Sequence, residues 1–130
     1  MPGFWVLGTT PSGEQAAANL ALVARIDYSP DRTSATLRAA RDGQLVPVIS
    51  LSGESVRALG ETLTRGPLRW YRVDPLDSMV GGSAVVNLDL ALRVMKKGPA
   101  LDVVGLDGVW LASAREAEDR SDLLAAVGVT

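Results

Sequence analysis

The sequence predicts an α+β fold: two antiparallel four-stranded sheets, each followed by a helix, in a pseudo-twofold ββββα-ββββα arrangement. Three observations lead there. Short segments alternate apolar and polar residues with period two. The period changes to helical spacing twice, once in the middle and once at the end. The second half repeats the first at an offset of about 65 to 68 residues.

The repeat is visible in the letters. Gly13 to Arg25 reads G-E-Q-A-A-A-N-L-A-L-V-A-R, and Gly81 to Arg93 reads G-G-S-A-V-V-N-L-D-L-A-L-R. Asn19 and Asn87, Leu20 and Leu88, Leu22 and Leu90, and Arg25 and Arg93 fall in register. Trp5 and Trp70 precede these stretches, and Asp42-Gly43 and Asp107-Gly108 follow them. One domain spanning residues 1–130 is expected, made of repeats over about 1–66 and 67–130.

Phe4–Gly8 reads as the first strand, and the Pro-Ser-Gly stretch after it as a turn. Asn19–Tyr28 reads as one long strand. Leu20, Leu22, Ala24, Ile26 and Tyr28 face one way; Ala21, Val23, Arg25 and Asp27 face the other. Ser29-Pro30-Asp31 turns the chain into a strand over Ala35–Ala40. Asp42-Gly43 is a two-residue hairpin signal, and Leu45–Leu51 is a strand whose Pro47 requires an edge or a bulge. Val56, Leu59 and Leu63 then recur at helical spacing, with Ser52 or Ser55 as the N-cap and Gly66-Pro67 as the stop.

The second half follows the same plan. Leu68–Val73 is a strand, Asp74 to Gly82 a loop, and Ala84–Met95 a long strand. Lys96-Lys97-Gly98-Pro99 turns into Leu101–Leu106. Asp107-Gly108 turns into Val109–Ser113, and Ala117–Val127 closes the chain as a helix. Each sheet and each helix has one apolar face to cover, so packing the halves together is the economical arrangement.

Composition narrows the chemistry. The 130 residues include no cysteine and no histidine. Thiolate nucleophiles, disulfides and Cys-zinc sites are thereby excluded, and the commonest general base and metal ligand are missing. No Walker loop, Gly-x-Gly-x-x-Gly motif or Gly-x-Ser-x-Gly elbow occurs. The expectation is a non-catalytic protein without cofactor or metal. Met1-Pro2-Gly3-Phe4-Trp5 lacks the basic and apolar regions of a signal peptide, and no apolar run is long enough to span a bilayer. A cytoplasmic protein that avoids membranes is expected. The Ala, Arg, Gly and Val usage fits a high-GC bacterium or its phage.

The middle of the chain carries a family resemblance. Ile49-Ser-Leu-Ser-Gly-Glu-Ser-Val-Arg-Ala-Leu-Gly60 is followed by Leu68-Arg-Trp-Tyr-Arg-Val-Asp-Pro75. This resembles the passage from fourth strand through first helix into an aromatic fifth strand in the Whirly family of single-stranded DNA-binding proteins. Related ββββα units occur in Pur-alpha repeats. The plant Whirly signature Lys-Gly-Lys-Ala-Ala-Leu corresponds here to Ser12-Gly13-Glu14-Gln15-Ala16-Ala17, so both lysines are replaced. The resemblance implies single-stranded DNA or RNA binding by a homo-oligomer, in the role of an accessory factor in transcription, replication or recombination.

Binding a single strand needs cations for phosphates and flat side chains for bases. The candidates are Arg25, Arg38, Arg69, Trp70, Tyr71, Arg72, Arg93, Lys96 and Lys97. Alternation puts Trp70 and Arg72 on one face of their strand and Arg69 and Tyr71 on the other, so one aromatic ring points to the core. Each candidate also has a plainer reading. Trp5, Trp70 and Trp110 pack between sheet and helix. Arg25 and Arg93 lie on a solvated face beside Asp27 and Asp89, and Lys96-Lys97 form a hairpin tip. Glu116, Glu118, Asp119 and Asp122 suit the positive end of the last helix rather than a metal. Asp74 and Asp77 read as loop acids rather than cation ligands.

A net charge of −2 and a pI near 5.0 weigh against strong non-specific nucleic-acid binding. They favour the alternative, a protein-interaction or structural and regulatory oligomer on the same fold, such as a phage component. Val23, Val85 and Ala91 on a nominally solvent face point the same way, toward a surface covered by another chain.

Overall fold

Two asparagines decide how the strands divide. The computed structural model describes residues 5–66, 69–73 and 82–128. Within them, each of the two long alternating segments is cut in two. The Oδ1 of Asn19 accepts the Ala21 N–H at 3.0 Å, and the Oδ1 of Asn87 accepts the Asp89 N–H at 3.0 Å. Such a bond pulls the following residues out of extended backbone. Leu20–Leu22 and Leu88–Leu90 therefore each form a single 3-10 turn. Alternation would have kept Leu20 and Leu22 on one face; instead Leu20 is buried and Leu22 is 65% exposed.

The elements run β1 (Trp5–Thr9), β2 (Gln15–Asn19), β3 (Arg25–Tyr28), β4 (Ser34–Arg41), β5 (Gln44–Ser52) and α1 (Glu54–Arg65). The succession then recurs as β6 (Trp70–Val73), β7 (Ala84–Asn87), β8 (Ala91–Lys97), β9 (Ala100–Gly105), β10 (Trp110–Ala114) and α2 (Ala117–Ala126). Leu68, Pro67 and the loop acids Asp74 and Asp77 lie outside the described residues.

The protein is α+β with antiparallel strands, but the expected pair of four-stranded sheets is not what forms. One sheet has seven strands in the order β2-β1-β5-β4-β3-β7-β6, and the other has three in the order β10-β9-β8. Two causes account for the difference. The asparagine turns make five strands in each half rather than four. The β6–β7 hairpin of the second half then adds to β3 of the first, pairing Arg25 with Val86, Ile26 with Val85 and Asp27 with Ala84.

Local chemistry sets the turns and bends. Asp42 and Gly43 both adopt positive φ, 51° and 78°, as a two-residue hairpin loop requires. Pro47 stands at a bulge, where the β4–β5 register shifts between Leu37 and Arg38. The β9–β10 pair has a bulge too, at Leu111 of β10, where the register shifts between Trp110 and Ala112. Lys96 and Lys97 belong to β8 rather than to a turn, because Gly98 and Pro99 alone make the reversal. Helix α1 begins at Gly53 with no side-chain cap, so neither Ser52 nor Ser55 serves. It ends at Gly66, whose N–H reaches the Thr62 carbonyl at 2.9 Å.

Two cores result. Ile26, Tyr28, Leu37, Ile49 and Leu51 on one face of the large sheet pack with Val56 and Leu59 of α1. Ala84 and Val86 of β7 pack with Val103, Leu111 and Ala112 of the small sheet and Leu123 of α2. Each fully buried Ile or Leu contributes roughly 1.5–3 kcal/mol. Val23, Val85 and Ala91 are thus covered by this chain itself, Val23 and Val85 by the first core and Ala91 by the second. Among the described residues, the large apolar side chains that do stand in solvent are others: Trp5, Leu7, Leu22, Leu92, Met95 and Leu106.

Candidate nucleic-acid interface

Strand β3 lies between β4 and β7, and both of its faces are buried. This removes Arg25 from the surface. Its guanidinium pairs with the Asp27 carboxylate at 3.1 Å, donates to the Leu111 carbonyl and lies 5.2 Å from the centre of the Trp110 ring. Arg38 shares the same carboxylate at 3.0 Å, with 17% of its side chain exposed. Arg25 ties the large sheet to β10, Arg38 joins β4 to β3 through the same carboxylate, and the buried Arg25 guanidinium does not reach a phosphate. The solvated face expected for Arg25 is therefore corrected.

Arg69 is exposed and pairs with Asp89 at 3.1 Å. Tyr71 packs against the second core, and its hydroxyl donates to the Asp119 carbonyl at 3.0 Å. It is the ring of its strand that the alternation turns away from Trp70 and Arg72. Arg93, Lys96 and Lys97 are exposed along β8, on the three-stranded sheet. Trp110 is half-buried, and its indole N–H donates to Ser113. Trp5 is 60% exposed, so core packing does not apply to it.

Trp70 and Arg72 come together in a cleft of about 450 Å³ beside α1. Tyr28, Arg32, Leu63 and Ser83 complete its principal lining, and among the described residues that line it none has a carboxylate side chain. The cleft is locally basic on an acidic protein. Its volume lies within the range of small-molecule sites, roughly 300–1,000 Å³.

Sequence reasoning missed Arg32 and Tyr28. The signal was the Ser29-Pro30-Asp31 turn, read only as a turn. The Asp31 carboxylate accepts hydrogen bonds from the Ser29 hydroxyl at 2.7 Å, the Thr33 N–H at 3.1 Å and the Thr33 hydroxyl at 2.8 Å. Those bonds, Ser29's first, hold the Asp31 carboxyl below the ordinary aspartate range. The tight turn leaves Arg32 at φ 59°. Its guanidinium lies 4.5 Å from the centre of the Tyr28 ring and donates to the Ser83 hydroxyl at 3.2 Å. Burial pushes the Tyr28 phenol up, and the Arg32 charge opposes that shift.

The cleft therefore offers two guanidiniums, a half-buried indole and a phenol that stays neutral. Chemically, such a set can hold an anion beside a flat ring. Among the described residues, no group of three or more His, Cys, Asp or Glu side chains gathers to hold a metal ion. None of the described helices is long and apolar enough to cross a membrane. No protein-family model matches the chain, and no curated protein or solved structure matches it.

Proposed function

We propose that the protein binds single-stranded nucleic acid without catalysis, and that the cleft beside α1 is where it does so. The observation that carries this reading is the meeting of Trp70 and Arg72, from one face of β6, with Arg32 over Tyr28, in a cleft whose described lining has no carboxylate side chain. A base stacks on the Trp70 indole or on the Arg32 guanidinium plane, and Arg72 and Arg32 neutralise flanking phosphates. The reading rests on this cleft rather than on the Whirly-like plan, from which the seven-plus-three strand arrangement departs.

The acidic balance sets the scale of the interaction. Two phosphate contacts predict a modest salt dependence, with a slope of log K against log salt of about −1.4 for a single strand. Fluorescence anisotropy with a labelled single-stranded oligonucleotide, at low and moderate salt and with a duplex control, tests it. Saturable binding that prefers the single strand is expected. Trp70→Ala should weaken it by about 5- to 150-fold, the equivalent of roughly 1–3 kcal/mol for a stacked base. Arg32→Ala and Arg72→Ala should weaken it and flatten the salt slope, while Arg41→Ala, on the exposed hairpin tip, should not. Absence of binding at low salt, or wild-type affinity in Arg32→Ala and Arg72→Ala, rejects the proposal.

A further inference from the structure

The two halves repeat not only their element order but also their pairing. Trp5 stands opposite Asn19 between β1 and β2, and Trp70 stands opposite Asn87 between β6 and β7. Each asparagine then caps the next 3-10 turn through its own Oδ1. On this correspondence β8 is the counterpart of β3, and β2 is the counterpart of β7.

The pair β3–β7 joins the halves. Its counterpart, β8 with β2, is not made: β8 ends the small sheet and β2 ends the large one. Among the described residues both are edge strands, with backbone N–H and C=O groups along one side that have no ladder partner there. Strand β2 reads Gln15-Ala16-Ala17-Ala18-Asn19. It has none of the charges, prolines or bulges by which edges avoid pairing. Beside it Trp5 and Leu7 are 60% and 72% exposed, and on β8 Leu92 and Met95 are 60% and 40% exposed.

We propose that β2 of one copy of this chain pairs antiparallel with β8 of a second copy, in the register that β7 already uses on β3. The Arg25–Val86, Ile26–Val85 and Asp27–Ala84 pairs, shifted by the 68 positions that separate Asn19 from Asn87, become Arg93–Ala18, Val94–Ala17 and Met95–Ala16. Long side chains of β8 then lie opposite alanines, as Arg25 and Asp27 lie opposite Val86 and Ala84. One step further along, Lys97 comes opposite Glu14, so the charges at that end of the seam are complementary. The bonds that flank the existing pair, Tyr28 N–H to Ser83 carbonyl at 2.8 Å and Asn87 N–H to Ala24 carbonyl at 2.9 Å, become Lys96 to Gln15 and Asn19 to Leu92. The Asn87 Nδ2 donates to the Val23 carbonyl across its seam at 3.2 Å; Asn19 gains the same bond to Ala91 of the other copy. Exchange of β2 and β8 in both directions closes a twofold dimer and leaves neither edge open.

The surface is separate from the cleft, so the two proposals fail independently. Sedimentation velocity of the full chain should give twice the monomer mass of 13.7 kDa. By the pattern of β7, the Ala17 N–H points to the open edge, so Ala17→Pro should yield a folded monomer with β1–β2 pairing kept. The chain has no cysteine, which allows a direct check of register. Ala16→Cys and Met95→Cys, made in separate chains and mixed under mild oxidation, should form a disulfide-linked heterodimer, because Ala16–Met95 is a close, non-hydrogen-bonded pair. A monomer at all concentrations overturns the proposal. So does a dimer that survives Ala17→Pro, or a mixture of the two cysteine variants in which no disulfide-linked heterodimer forms.

Discussion

Arg25 and Asp27, two residues apart on β3, form an ion pair at 3.1 Å in which neither side chain reaches solvent. Desolvating both charges is costly, and geometry must repay it. Here the carboxylate also accepts from Arg38, and the guanidinium also donates to the Leu111 carbonyl and faces Trp110. The pair therefore ties the large sheet to β10. Asp27→Ala leaves a buried guanidinium without its counter-ion and should destabilise the fold by about 3–5 kcal/mol in urea denaturation. Arg25→Met combined with Asp27→Leu should cost clearly less than Asp27→Ala alone, because the fully buried guanidinium goes with its carboxylate and the Arg38 side chain, 17% exposed, keeps access to solvent. Equal costs would show that the carboxylate does not anchor this seam.

Asn19 and Asn87 occupy the same place in the repeat but do unequal work. Both cap a 3-10 turn, yet Asn87 is buried and its amide also reaches the Val23 carbonyl across the join of the halves. Asn19→Ala should cost about 1 kcal/mol, the typical loss of a cap of this kind. Asn87→Ala also orphans a buried carbonyl and should cost about 1–3 kcal/mol more. Chemical denaturation of the two variants under identical conditions measures the difference.

Two glycines should respond to alanine in opposite directions. A Cβ on Gly82 would sit 2.1 Å from the Tyr28 carbonyl oxygen and 2.6 Å from the Ser29 carbonyl carbon, both backbone atoms that cannot swing aside. Gly82→Ala must therefore push the chain before β7 away from the end of β3 and should destabilise by about 1–3 kcal/mol. Gly60 lies inside α1, and a Cβ there meets nothing within 4 Å. Gly60→Ala should stabilise by about 0.5–1 kcal/mol through helix propensity. Thermal melts of both variants check the pair of signs.

Much of the local structure was legible in the letters. Asp42-Gly43 made the expected hairpin, Pro47 fell at a bulge, Gly66 ended α1, and the alternation of β6 separated Trp70 and Arg72 from Tyr71. The strand partners were not legible. Alternation reports which residues share a face, but it is silent about which edge a hairpin joins, so β6–β7 pairing with β3 left no local trace. The asparagine turns were hidden because leucines at positions 20 and 22 satisfy period two whether or not the strand breaks between them. Arg32 escaped notice because its place in the cleft depends on a hydrogen-bonded turn 51 residues before Ser83, its partner across the cleft.

Tyr28 supplies a test of that cleft in alkali. Its phenol titrates above the ordinary tyrosine value of about 10 because burial disfavours the phenolate, with Arg32 opposing. The protonated form is neutral and is the one the fold favours. Its contribution to stability is therefore complete below the unfolded-state value and is lost as pH rises through the folded-state value. The chain has two tyrosines, so Tyr71→Phe isolates Tyr28 in an ultraviolet absorbance titration. The transition should lie above that of a free tyrosine. Arg32→Ala in the same background removes the opposing cation and should move the transition higher still. A shift downward would mean that the guanidinium does not stand over the ring in solution, and the cleft would lose the plane on which a base is proposed to stack.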